Sequence, residues 1–342
     1  MSKVDEEHSS ATSETNDTFP PPTFFQRWKT HMKKWWWLYL IVFCIVVLIT
    51  VLPIVYVGVP HFANKYINDY EFDYSGLTIT DLTPNSLHIS QSQKLHIGGS
   101  FRGSGHLDPF NASLSIPGSD TSFATLPIPQ ISFSDSAVLN LDQVLNLSCV
   151  SCFSELATKA ISNKEFGILL TGKPDLKVNA LPTAHLDFHK TMTMQGYDAQ
   201  EFLNLNGAFN ITDLRIISPR EQGYNINATI AFRNPTRFTV EMGTVSFNLS
   251  MGNTPLGYID IPNLTLQQNH TNADVLGNIN MSSIINQGIW ASSNSDFGNV
   301  TIDLHGNRCV YNGQEIPYFT AAFRALNASI QIDLLKYAKY IL

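Results

Sequence analysis

The 342-residue sequence predicts a mainly β protein in which one transmembrane helix precedes two tandem β-sandwich domains of immunoglobulin-like type, each with a helical insertion. Three observations carry that prediction. An uncharged run fills positions 35–59. Beyond it, apolar and polar side chains alternate at period two in one segment after another. Those segments then recur in the same order at offsets of 131–135 residues.

Taken in chain order, residues 1–34 read as a cytosolic tail. They are rich in Ser and Thr and hold equal numbers of acidic and basic residues, a composition that buries no core. The run that follows, "WWWLYLIVFCIVVLITVLPIVYVGV", exceeds the roughly 20 residues needed to cross a hydrocarbon core. Trp35, Trp36, Trp37 and Tyr39 form an aromatic belt at one interface and Tyr56 stands near the other. Arg27, Lys29, Lys33 and Lys34 precede the run, and Asp69, Glu71 and Asp73 follow it. The positive-inside rule therefore puts the N-terminus in the cytosol and residues 60–342 in the lumen or outside the cell. The run is too long and starts too late for a cleaved signal peptide, so it reads as a signal anchor of the secretory system. The residues after it, "HFANKYINDY", extend the helix.

The far side carries Asn-x-Ser/Thr sequons at Asn111, Asn146, Asn210, Asn227, Asn248, Asn263, Asn269, Asn280, Asn299 and Asn327, the pattern of a glycosylated lumenal protein. Alternation marks strands in "LTITDL", "AHLDFHKTMTM", "INATIAF", "TVSFNLSM", "NVTIDLHG" and "ASIQIDL". Two segments, 140–163 and 272–290, read as helices. The repeat pairs "ITDL" at 79–82 with 211–214 and "IPQISF" at 128–133 with "IPNLTL" at 261–266. Phe166-Gly167 pairs with Phe297-Gly298 and Leu181-Pro182 with Ile316-Pro317, and Asp108-Pro109 corresponds to Asn234-Pro235 at a slightly shorter offset. The domains are accordingly drawn at 60–195 and 196–342. Pro235 blocks glycosylation of Asn234 and lacks the N–H a ladder needs, so Asn234 and Pro235 read as a turn that marks the fold.

An alternating strand (226–232), Asn234-Pro235, a second strand (245–249), Gly252 and then Leu256-Gly257 together resemble the type-2 late-embryogenesis-abundant, or WHy, domain. The whole layout resembles a family of fungal membrane proteins with an N-terminal span and tandem domains of this type. That resemblance implies a non-enzymatic lumenal interaction module with no catalytic residues. It also implies a vacuolar membrane location, because one relative is a vacuolar regulator of autophagy linked to the proton-pumping ATPase. The endoplasmic reticulum and plasma membrane remain open.

The chemistry of the remaining motifs is sparse. His185 and His189 would lie about 13 Å apart on one face of a strand, too far for one metal ion. Cys149-x-x-Cys152 has no second Cys pair for zinc. In an oxidising lumen, one disulfide forms among Cys149, Cys152 and Cys309. Cys149–Cys152 is the first choice, and a bond from either to Cys309 would staple the two domains. The Gly-rich "GGSFRGSGH" (98–106) is no nucleophile elbow, and no phosphate or dinucleotide loop occurs, so no cofactor is expected. The net charge of −7 lies beyond residue 60, which excludes nucleic acid as the partner of that part. Two readings remain beside a disfavoured hydrolase. One is a module binding a membrane protein or complex. The other binds lipid or another apolar ligand, and it requires an apolar tunnel where the first allows a packed core.

Overall fold

The computed structural model describes residues 24–69, 73–96, 104–134, 136–179, 181–199, 209–284 and 299–333. The chain divides into two units, residues 1–57 and 58–342.

The first unit is helical. Helix α1 (Phe24–Pro53) leaves helical geometry at Trp35 (φ −118°, ψ 16°), where the basic stretch meets the apolar run. Pro53 cannot donate to the carbonyl one turn back and its ring crowds it. The chain answers by widening into a π-helix over Ile54–Gly58. Apolar side chains from Trp35 to Val57 are exposed all round this helix, Phe43 by 68%. The helix is long and apolar enough to cross a membrane, with a mean hydropathy of 3.1 in its most apolar window. Residues 1–23 and the side chains of Arg27, Lys29, Lys33 and Lys34 lie outside the described set.

The second unit is mainly β. It opens with α2 (Val59–Asp69) and continues through β1 (Thr78–Thr83), β2 (Ser86–His96), β3 (Gly105–Leu107), β4 (Phe110–Ser115), β5 (Ser122–Ile128), β6 (Ile131–Phe133) and β7 (Ser136–Asn146). Helix α3 (Val150–Ser162) is followed by β8 (Glu165–Gly172), β9 (Asp175–Val178), β10 (Ala184–His185) and β11 (Phe188–Gln195). Then come β12 (Phe209–Glu221), β13 (Tyr224–Asn234), β14 (Thr239–Met251), β15 (Thr254–Leu266), β16 (Asn269–Ile279), β17 (Asn299–Tyr311) and β18 (Gln314–Glu315), and the described chain closes with helix α4 (Pro317–Arg324) and β19 (Asn327–Asp333).

The earlier and the later strands follow similar orders. The earlier strands run β1-β2-β7 and β5-β4-β8-β11, with an isolated bridge from Ala124 of β5 to Leu147 just beyond β7. The later strands run β12-β13-β16-β15-β14-β17-β19. The two orders correspond strand for strand. Strands β3, β6, β9 and β10 extend the earlier sheet beyond β7.

The two sets of strands are joined within one unit. β1 pairs in parallel with β14, Thr78 opposite Thr239 and Ile79 opposite Val240. The ring of Phe153 on α3 meets that of Tyr318 on α4 at 5.1 Å, and the Tyr318 hydroxyl donates to the Ser86 carbonyl. At the other side, α2 covers an edge strand. Asn64 and Asn68, one helical turn apart, accept from the N–H groups of Asp187 and His189, two residues apart along the strand. The helical and strand repeats have nearly the same length, so each side-chain carbonyl satisfies an edge donor that would otherwise be free to pair with another chain.

Two predicted helices are corrected. Residues 140–146 belong to β7, and 272–279 to β16. Both segments keep period two: Ala137, Leu139, Leu141 and Leu145 are buried and alternate with more open neighbours, as do Thr271, Ala273, Val275 and Ile279. Helix begins only at Val150 in the first case, and residues 281–284 are helical in the second.

Candidate ligand cavity

The later sheet wraps an apolar cavity of about 260 Å3. All seven of its strands contribute lining side chains, so the sheet curves around the space. β13 shows how the sequence builds this wall. Period two directs Ile226, Ala228, Ile230 and Phe232 to the inside and leaves Asn227 and Arg233 outside.

Three other strands need a change of parity to keep their apolar residues inside. On β12 the lining shifts from Ile211 to Leu214 and Ile216, across a register slip between Ile211 and Asp213. On β14 it shifts from Met242 to Phe247 and Leu249, across slips on both sides of Gly243. Gly243 has φ +74°, and a Cβ there would lie 2.5 Å from the Val310 carbonyl oxygen, so the bulge needs glycine. On β15 the lining shifts from Ile259 and Ile261 to Leu264 and Leu266, past Asn263 at φ +50°. Each bulge also bends its strand and thereby the wall.

Among the described residues the lining is hydrocarbon or thioether throughout, apart from Tyr197. Burial holds the Tyr197 phenol neutral, well above the usual tyrosine range. The polar groups of the same strands lie on the opposite face. There the buried Asp260 carboxylate accepts from the hydroxyls of Ser246 and Tyr224. The Asp260 bond, then desolvation, pushes the Tyr224 phenol up to about 12. An engineered apolar cavity of about 150 Å3 stays dry and takes up benzene. The larger space here has the chemistry to hold an apolar group and offers almost nothing to water.

The residues singled out in the sequence are placed as follows. Asn111, Asn146, Asn210, Asn227, Asn248, Asn263, Asn269, Asn280 and Asn327 are all exposed, while the side chain of Asn299 lies outside the described residues. Cys149 and Cys152 form a disulfide at the start of α3, and Cys309 is buried as a thiol that donates to the Met242 carbonyl. His185 and His189 are exposed on separate strands, and His185 pairs with Asp175 at 2.6 Å. Asp108 lies between β3 and β4 and bonds Lys177 at 2.7 Å, a hydrogen bond that lowers the carboxyl pKa. Asn234 is buried at the end of β13. Its side-chain carbonyl accepts from the Thr236 N–H and hydroxyl, and Pro235 follows where the ladder stops. None of these residues lines the cavity. Sequence reading missed the cavity because apolar positions on a strand look the same whether they pack against one another or face a void.

Comparison with known proteins points to no function. No curated protein matches the chain. Among solved structures, the periplasmic chaperone SfaE is similar at 9% identity, over 70% of this chain and 93% of its own, with a TM-score of 0.16. The exo-chitosanase CsxA of Amycolatopsis orientalis is similar at 12% identity over 68% of this chain and 25% of its own, with a TM-score of 0.18. The secreted serine protease VesC of Vibrio cholerae follows at 9% identity, 64% and 48%, with a TM-score of 0.15. Residues 121–249, from β5 to β14, match the family described as "Protein of unknown function (DUF3712)".

Proposed function

We propose that this protein is a membrane-anchored, non-enzymatic binder of an apolar ligand, a lipid chain, held in the cavity of the later sheet. The observation that carries the reading is the cavity itself: about 260 Å3 of space with apolar walls on seven strands. Scaled from benzene in 150 Å3, it takes about ten carbons. At about 0.8 kcal/mol per buried methylene, such a chain gains about 8 kcal/mol, the scale of micromolar binding before ordering costs.

The anchor supports the same reading, since it tethers the chain to a lipid source. The basic flank of α1 and the exposed sequons favour a lumenal position for the second unit in the secretory system. The vacuolar membrane and a role in autophagy or proton-ATPase control are carried over from the fungal resemblance alone. Binding of a lumenal membrane protein stays compatible with this role, the ligand then acting as the signal that the partner reads.

The test is lipid analysis of the full chain purified in a mild detergent. Stoichiometric recovery of a lipid that is lost in an Ala228→Phe variant, with an unchanged melting temperature, supports the reading. A protein that carries no lipid and takes up none from vesicles overturns it.

A further inference from the structure

Resting on that reading, we infer that the ligand is a single-chain amphiphile that enters sideways, between β12 and β19, and leaves its polar head outside. Three observations converge on this. The first is topological. Among the described residues, β12 pairs only with β13 and β19 only with β17, so the curved sheet has two unpaired margins where a closed barrel would have none. Both margins nevertheless face the cavity, through Ile211, Leu214 and Ile216 on one and Ile330 and Ile332 on the other.

The second observation is a gradient of exposure. On the inner strands β13, β14, β16 and β17 every lining side chain is buried, Phe232 and Ile302 among them, while on β15 Ile259 and Leu266 are partly open. At the margins all five lining side chains are partly open to solvent, and Ile216 is 37% exposed. The apolar wall thus runs from the interior out to the surface along these two strands. An apolar surface that continues inward from an open margin is the path on which a chain can slide without losing its burial.

The third observation sets the ligand class. Among the described residues the lining holds no charged side chain, and its one hydroxyl is that of Tyr197. A carboxylate or phosphate drawn inside would be left without solvation, at a cost far above the gain from its chain. The head therefore stays at the margin. The space takes about ten carbons on the benzene scale, enough for most of one chain and too little for two. Fatty acids and lysolipids fit that description, and two-chain phospholipids do not.

Photo-crosslinking on the full chain in nanodiscs separates this inference from the cavity reading. Two fatty acids are used, one with a diazirine beside the carboxyl and one with it at the methyl end, and labelled peptides are mapped by mass spectrometry. The carboxyl-end probe should label β12 and β19 at several times its yield on β13 and β16, and the methyl-end probe should reverse that ratio. A phosphatidylcholine carrying the methyl-end diazirine on one of its two chains should label these strands at least tenfold less. If both fatty acids label the cavity but the carboxyl-end probe maps to β14 or β15, entry at the margin is wrong and the cavity reading stands. Equal labelling by phosphatidylcholine removes the single-chain class. Absence of labelling on every lining strand overturns both.

Discussion

The side-chain amide of Asn234 donates to the Gln267 carbonyl at 2.8 Å, tying the end of β13 to the turn between β15 and β16. Its carbonyl meanwhile holds the Thr236 N–H at 3.0 Å and the Thr236 hydroxyl at 2.8 Å. One buried side chain thus replaces the ladder that Pro235 interrupts. Asn234→Ala leaves several buried groups unmatched and should cost about 1–3 kcal/mol. Asn234→Asp should cost more, because it turns a donor toward Gln267 into a buried charge. Thr236→Val removes one bond and should cost less than either. Urea unfolding of the three variants gives the order.

Gly257 is the second fixed point. Its φ is +136°, and a Cβ there would lie 1.9 Å from the Asn278 carbonyl oxygen on β16. Leu256 before it is buried, and Gly257 lets two backbones approach. Gly257→Ala should cost about 3 kcal/mol or more, and it should show in hydrogen exchange first on β15 and β16.

Tyr224 sets a pH dependence. Its phenol rises from the ordinary tyrosine value to about 12, through the bond to Asp260 first and desolvation second. A raised folded pKa means that this stabilisation is complete below pH about 10 and fades as pH rises toward about 12. The melting temperature of the wild-type protein relative to Tyr224→Phe should be constant up to pH about 10 and fall beyond it. A difference that stays constant to pH 12 would contradict the bond.

The exposed sequons predict a mass change. Treatment of the protein from its native membranes with an N-glycosidase should lower its apparent mass in several steps on limited digestion. No shift would argue that residues 60–342 face the cytosol, against the charge asymmetry around the span.

The strands were legible wherever alternation was strict, as in "INATIAF" and "NVTIDLHG", because a half-buried sheet imposes period two on its sequence. Two of the recurring motifs fall on corresponding strands, "ITDL" on β1 and β12, and "IPQISF" and "IPNLTL" on β5–β6 and β15. Segments 140–146 and 272–279 failed because Leu, Asp, Gln and Asn have no strong strand preference, and only the tertiary pairing of β7 with β2 and of β16 with β13 decides them. The bulges at Gly243 and Asn263 were illegible for a related reason. A parity switch looks like broken alternation until the partner strand is known. The cavity depends on those switches, and so its existence could not be read from the chain alone.

Whether the later sheet holds an apolar chain is tested most directly by native mass spectrometry of the full-length protein released from detergent micelles, wild type against Ala228→Phe. The expected result is an added mass of one single-chain lipid per wild-type molecule, absent from the variant. Wild-type protein that flies without added mass, before and after incubation with fatty-acid vesicles, would contradict it.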